Sequence, residues 1–196
     1  FRSGSDQLAA LVTGQMAALA SNNLAALRPD QIAVLTTDQI LALKSLAPLT
    51  TLQIASLTTD QIVALESQDI IALASTQLAA LSGDQARALT SDQIAELTAV
   101  QVGNLSTNML NALTSDQIGQ IETRDIAALQ ASQLARLSTD QLVALHSEQF
   151  GALSSNALGA LGTDQIGVLG TDQLNALAGL AALSGVQVGA FTTAQI

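Results

Sequence analysis

Ten aspartates recur at one position of an eight-residue unit: Asp6, Asp30, Asp38, Asp60, Asp84, Asp92, Asp116, Asp140, Asp164 and Asp172. Such a carboxylate row is the kind of feature that binds Ca²⁺, a hard cation that takes oxygen ligands. Ca²⁺ wants about six or more oxygens, and one carboxylate per unit with no acidic neighbour supplies too few. An acidic residue in the first turn of a short helix, favoured by the helix dipole, explains the spacing without a metal. Paired hydroxyls, as in Thr36-Thr37 and Thr58-Thr59, form a second regular row. Such rows could face ice, glycan or another surface, and helix capping accounts for them equally well. His146 is the only histidine and there is no cysteine, which leaves no transition-metal site and no nucleophile–base pair. It stands where Thr or Ser is usual, so it is read as a surface corner. Arg87, Arg136 and Glu96 interrupt an otherwise apolar and Ala pattern and are read as exposed or lateral edges. No residue is assigned a catalytic, cofactor-binding or metal role, and the chain is not expected to be an enzyme.

The unit that carries these residues is seen most clearly at Thr58–Leu65, Thr-Thr-Asp-Gln-Ile-Val-Ala-Leu, labelled a to h. It returns nearly intact as Thr36–Leu43, Thr90–Leu97, Thr114–Ile121 and Ser138–Leu145, with looser copies between. Position h is Leu almost throughout, e is Leu, Ile, Val or Met almost throughout, g is mostly Ala, and d is mostly Gln. The whole of 1–196 reads as a single array of about 24 octads without a domain boundary. Two units are only six residues long, 44–49 and 178–183. Lys44-Ser-Leu-Ala-Pro-Leu49 carries a proline and is the expected place for a bend. Gly151, Gly159, Gly162, Gly167 and Gly170 are expected to loosen the later units, since Gly costs about 1 kcal/mol relative to Ala inside a helix.

The spacing predicts an all-α fold of very short helices. Residues c to h are good helix formers, and Ser or Thr at b is a preferred cap. Where a is Thr and d is Gln, as in Thr58 and Gln61, a capping box can start one residue earlier. One long helix fails: eight residues at about 100° each leave a residual of about 80° per repeat, so the e/h stripe winds around the axis. The chain must turn in every octad. Two buried side chains cannot offset the entropy of ordering eight residues, so octads have to stack. Two octads per coil of sixteen residues, stacked into a rod or superhelix, is the expected arrangement. A β-solenoid is the alternative; its support is the turn-forming Ser and Thr, and the scarcity of Val, Tyr and Phe weighs against it. Gln at d is expected to satisfy backbone groups of the adjacent repeat, since an amide both donates and accepts. Asn23, Asp69 and Asp125 share part of that capacity; Met109 and Ala157 do not.

Composition narrows the partners. Charged residues are 11% of the chain, against about 25% in a typical domain, and the formal charge is −10. That charge argues against nucleic acid and anionic membrane surfaces. No apolar run approaches the length of a membrane span. The chain starts at Phe1 without Met and stops inside a unit at Ile196, and is read as a processed chain or a piece of a longer one.

The tandem T-x-D-Q-I/L-x-A-L octads resemble low-complexity repeat regions of long secreted and surface-attached bacterial proteins. The resemblance implies an extracellular structural or adhesive role and transfers no functional residue. The expected function is a non-catalytic spacer, stalk or filament building block without cofactor. The alternative is a scaffold or adhesin that recognises a protein, glycan or Ca²⁺ on one face. Self-association, end-to-end or lateral, is the expected partnership, with exposed apolar side chains at f (Leu41, Val63, Ile71 and Val143) as the lateral contact.

Overall fold

The computed structural model describes residues 4–177 and 182–196 and contains α-helix, turns and no strand among them. Twenty-two helices, α1 (Gly4–Ala9) to α22 (Gly185–Val188), each four to six residues long, follow one another through the described residues. The β-solenoid alternative is thereby overturned. Ala, Leu and Gln in positions b to g favour helix, and the hydroxyl residues that suggested β turns start helices instead.

Most octads are built alike. In α7 (Thr59–Ala64), Thr58 is the cap, with extended backbone at φ −75° and ψ 161°. The Thr58 hydroxyl accepts from Gln61 N–H at 3.1 Å, and Gln61 Oε1 accepts from Thr58 N–H at 2.8 Å. This is a reciprocal capping box. The cap therefore sits at a, not at b as the propensities suggest, because d must be the third helical residue for its side chain to reach back. Pro29 at b is then the first helical residue of α4 (Pro29–Ala33), where no backbone donor is needed. Where a has no hydroxyl only the Gln half forms, as at Val12 and Gly170, whose N–H groups reach Gln15 and Gln173 at 3.0 Å. After the helix, Leu65 returns to extended backbone (φ −57°, ψ 140°) and the next octad begins.

The helices belong to two compact units, Phe1–Glu96 and Leu97–Ile196. Within each, a helix packs on the helix three octads later. In the first unit α7 packs on α10 (Gly83–Ala88); in the second, α18 (Ser147–Ala152) packs on α21 (Thr171–Ala176). The expected sixteen-residue coil is therefore wrong: the turn is longer by at least one octad. The e/h pair explains why. Ile62 and Leu65 are three residues apart on one side of a two-turn helix, and both are buried. Three or more such short sides are needed to close a ring around a core filled from every side, whereas two would lie flat against each other. In each unit the core is built from these e and h side chains, the e positions (Ile32, Ile54, Ile62 and Ile94 in the first, Ile118 and Ile166 in the second) being fully enclosed.

The six-residue unit Lys44–Leu49 forms turns without helix, yet it keeps Leu46 and Leu49 buried. It replaces one side of the coil rather than bending it. Residues 178–181 of the other short unit lie outside the described residues.

Of the five glycines expected to loosen the later units, Gly151 stands at a close contact, as do the earlier Gly103 and Gly119, whereas Gly167 has nothing within 4 Å. A Cβ on Gly103, Gly119 or Gly151 would lie 3.1, 3.0 and 2.8 Å from the carbonyl oxygens of Ala128, Ala144 and Ala176, one turn of the coil away. Gly151→Ala is expected to destabilise Leu97–Ile196 by about 2 kcal/mol, as overpacking does. Gly167→Ala, with nothing within 4 Å, should be neutral or stabilising by up to ~1 kcal/mol. Urea unfolding of the two variants checks the contrast.

Candidate functional site

The most regular polar feature is a ladder of glutamines at d. Their Oε1 atoms are held by the caps, which leaves Nε2 directed away from the octad. Gln93 Nε2 donates to the carbonyls of Ile62 and Leu65 at 2.8 and 2.7 Å, in the octad four before its own. Gln133 does the same to Val102 and Leu105 at 3.0 and 2.9 Å, and Gln173 to Leu142 and Leu145 at 2.8 and 2.7 Å. The ladder is thus structural, as expected, but it stitches successive turns rather than adjacent octads. Helices this short leave their carbonyls without intrahelical donors, and the Gln amide supplies them. Gln53, Gln61, Gln93 and Gln101 are accordingly buried.

The ladder also passes through the short unit Lys44–Leu49. Gln61 bonds Ile32 and Leu35, 29 and 26 residues back, where Gln93 reaches 31 and 28. The two-residue difference is the deficit of Lys44–Leu49. Gln77 bonds the Ala47 and Leu49 carbonyls of that unit itself. Gln187 bonds Leu158 and Leu161 at the same shortened spacing of 29 and 26.

The other positions singled out in the sequence are placed as follows. Met109 and Ala157 fill the d position with apolar groups and are buried; Ser154 Oγ still accepts Ala157 N–H at 3.2 Å. Asp69 Oδ2 accepts Glu66 N–H at 3.2 Å, half of the usual pattern, whereas Asp125 is buried with Arg124 Nε donating to it at 3.1 Å. Asn23 is exposed. The aspartates at c lie on the surface from Asp30 to Asp172; the Asp6 side chain lies outside the described residues. Because α5 (Thr37–Leu41) packs on α7 and α7 on α10, Asp38, Asp60 and Asp84 follow one another along one face. Asp116, Asp140 and Asp164 do so in the second unit, on α14 (Ser115–Gln120), α17 (Thr139–Val143) and α20 (Thr163–Gly167). No three His, Asp or Glu side chains converge as a metal-ligand set among the described residues. Thr36, Thr58, Thr90 and Thr114 hold their hydroxyls against their own helices. At the exposed corner Arg28, Nε and Nη2 bind Asp30 at 3.0 and 2.9 Å, and the guanidinium holds that carboxyl below its ordinary range.

Both recognisable surface departures lie along stacked helices. In the second unit, Glu122, Arg124, His146 and Glu148 line a groove of about 470 Å³ between α15 (Thr123–Ile126) and α18. A neighbouring groove of about 400 Å³ continues past His146 and Glu148 to Asp172 on α21. Arg124 is tied to Glu122 at 3.0 Å and to Asp125 at 3.1 Å. His146 is an exposed corner residue, as its position in the octad implies, and its backbone N–H bonds Gln149 Oε1 at 2.7 Å. In the first unit, Leu41 and Val63 are exposed at f on the stacked helices α5 and α7, while Ile71 is half-buried. Arg87, on the next helix of that stack, pairs with Asp84 at 2.9 Å; Glu96 and Arg136 are exposed, as expected. Glu122, Arg124 and Glu148 are not conspicuous in the sequence. They come together because their octads are three apart, a period that no octad shows by itself.

The ALTTAQ repeat model matches residues 8–45, 62–99, 118–155 and 147–179, more than half of the chain. The chain belongs to the ALTTAQ repeat family. Each match to the ALTTAQ repeat is longer than the three octads that separate stacked helices, so one family unit spans a full step of the stacking. No curated protein matches the sequence. No helix among the described residues of this ALTTAQ array is long and apolar enough to cross a membrane.

Proposed function

We propose that this ALTTAQ array is a non-catalytic structural element of an extracellular or cell-surface assembly, acting as a spacer, stalk or filament building block. The observation that carries this reading is the allocation of side chains within the octad. Positions a, d, e and h are taken up by capping, stitching and core packing, as in Thr90, Gln93, Ile94 and Leu97. Only b, c, f and g remain for the surface, and most of them repeat. A module in which half of each repeat holds the next turn suits extension and load-bearing, since stability then accumulates with copy number. Leu41 and Val63 offer a ridge for side-by-side contact between copies.

A scaffold reading rests on the groove around His146, where Glu122, Arg124 and Glu148 gather. Solution size by light scattering, with and without Ca²⁺, separates the two. Assemblies larger than one chain and indifferent to Ca²⁺ are expected, and Leu41→Lys with Val63→Lys should reduce them. A strict monomer at high concentration would sink the assembly reading and leave the scaffold.

A further inference from the structure

Asp69 occupies a ladder position, between Gln61 and Gln77, in α8 (Ser67–Ala72). Its neighbours fix the register. Gln61 reaches back to Ile32 and Leu35, and Gln77 to Ala47 and Leu49. The same step from Asp69 leads to Ile40 and Leu43. The Ile40 carbonyl already accepts Leu43 N–H at 3.0 Å, whereas the Leu43 carbonyl takes no hydrogen bond among the described residues. One oxygen of Asp69 is committed to Glu66 N–H at 3.2 Å, the bond that Oε1 makes in the glutamines. In the register of the ladder the other oxygen takes the part of the glutamine amide nitrogen, on a side chain one methylene shorter. An ionised carboxylate has no proton to give, and a protonated one does.

We propose that Asp69 is a proton-dependent rung of the ladder: protonated, its carboxyl donates to the Leu43 carbonyl, and ionised, it confronts that carbonyl with a second acceptor. Burial holds the Asp69 carboxyl above its ordinary range, and the Glu66 charge adds to this against the opposing bond from Glu66 N–H. Lys44 in the unit three earlier, Asp38 on α5, and Asp92 and Glu96 on or capping α11 (Ser91–Ala95), which packs on α8, are the other charged groups of the surrounding elements. All four are exposed, and of the charges only Glu66 acts on Asp69. A carboxyl raised in the folded state stabilises the fold at low pH, and the contribution is lost as pH rises through its folded value. The turn joining α5 to α8 should thus tighten on acidification, the opposite of ordinary acid loosening.

The test compares the full chain with Asp69→Gln, a permanent donor, and Asp69→Ala, which has none; Ala is already accommodated at this position in the octad of Ala157. Amide hydrogen exchange in α5 and α8, taken as ratios between proteins at equal pH, reads the opening of this turn. In mildly acidic solution the unaltered chain should be protected about fivefold more than Asp69→Ala, the worth of one hydrogen bond, and approach Asp69→Gln. Near neutral pH it should fall to the level of Asp69→Ala or below. If the unaltered chain never exceeds Asp69→Ala, burial alone explains the raised carboxyl and no rung forms. A ratio that does not change with pH overturns the proposal equally.

Discussion

Gln93→Ala is expected to lower the stability of Phe1–Glu96 by about 3 kcal/mol, more than a polar-to-Ala change ordinarily costs. The side chain is 2% exposed and makes three bonds: one from Thr90 N–H at 2.9 Å and two to the carbonyls of Ile62 and Leu65. Each intramolecular bond contributes about 1 kcal/mol net, and stranding a buried partner costs about 1–3 kcal/mol. Gln93→Glu separates the two roles, because it keeps the acceptor for Thr90 N–H and loses both donors. Near neutral pH it should be at least as damaging, with part of the loss recovered in acid as the carboxyl regains a proton. Gln31 provides the internal control. It makes its cap bond to Arg28 N–H at 2.9 Å and no bond through Nε2 among the described residues, so Gln31→Ala should cost about 1 kcal/mol. Urea denaturation decides: equal losses at Gln31 and Gln93 would mean that capping, not the bond across the turn, carries the energy.

The second large effect is expected at Phe150, the biggest of the fully enclosed side chains. Phe150→Ala should cost Leu97–Ile196 about 4 kcal/mol, the usual range for emptying an aromatic core site. Phe150→Leu restores a branched aliphatic side chain of the kind that Leu142 and Leu158 supply at e, and should cost well under half as much. The neighbouring contact of Gly151 with Ala176 lets α21 approach α18, so the ring has little freedom to be replaced by collapse of the wall. A thermal scan of both variants gives the ratio; a Phe150→Leu variant as unstable as Phe150→Ala would show that shape, not buried volume, governs the site.

Much of this was legible from spacing alone. Ile62 and Leu65 declare an inward face, Asp60 a first turn, and Gln61 a polar group with more bonding capacity than an exposed surface needs. The cap at Thr58 was harder, because Thr58 and Thr59 are both hydroxyl residues and propensity does not choose between them. Gln61 chooses, by being three residues from the one and two from the other. The coil length is not legible in the sequence, because no octad records how many of its kind complete a turn. That number comes from the corner angle at residues such as Leu65 and Glu66, a backbone property. The groove at His146 is hidden in the sequence for the same reason: Glu122 and His146 are 24 residues apart and meet only when three octads make one step.

The glutamine ladder counts sides of the coil and is indifferent to the number of residues in a side, as the rungs across Lys44–Leu49 demonstrate. Gain or loss of one whole octad would therefore leave capping, core and rungs in register while carrying every later side chain one face around the coil. Asp84 would leave the line of Asp38 and Asp60, and some other residue would take its place. A change of three octads would return each side chain to its own face. Such a chain can redraw its surface by recombination at repeat boundaries without altering a single buried residue.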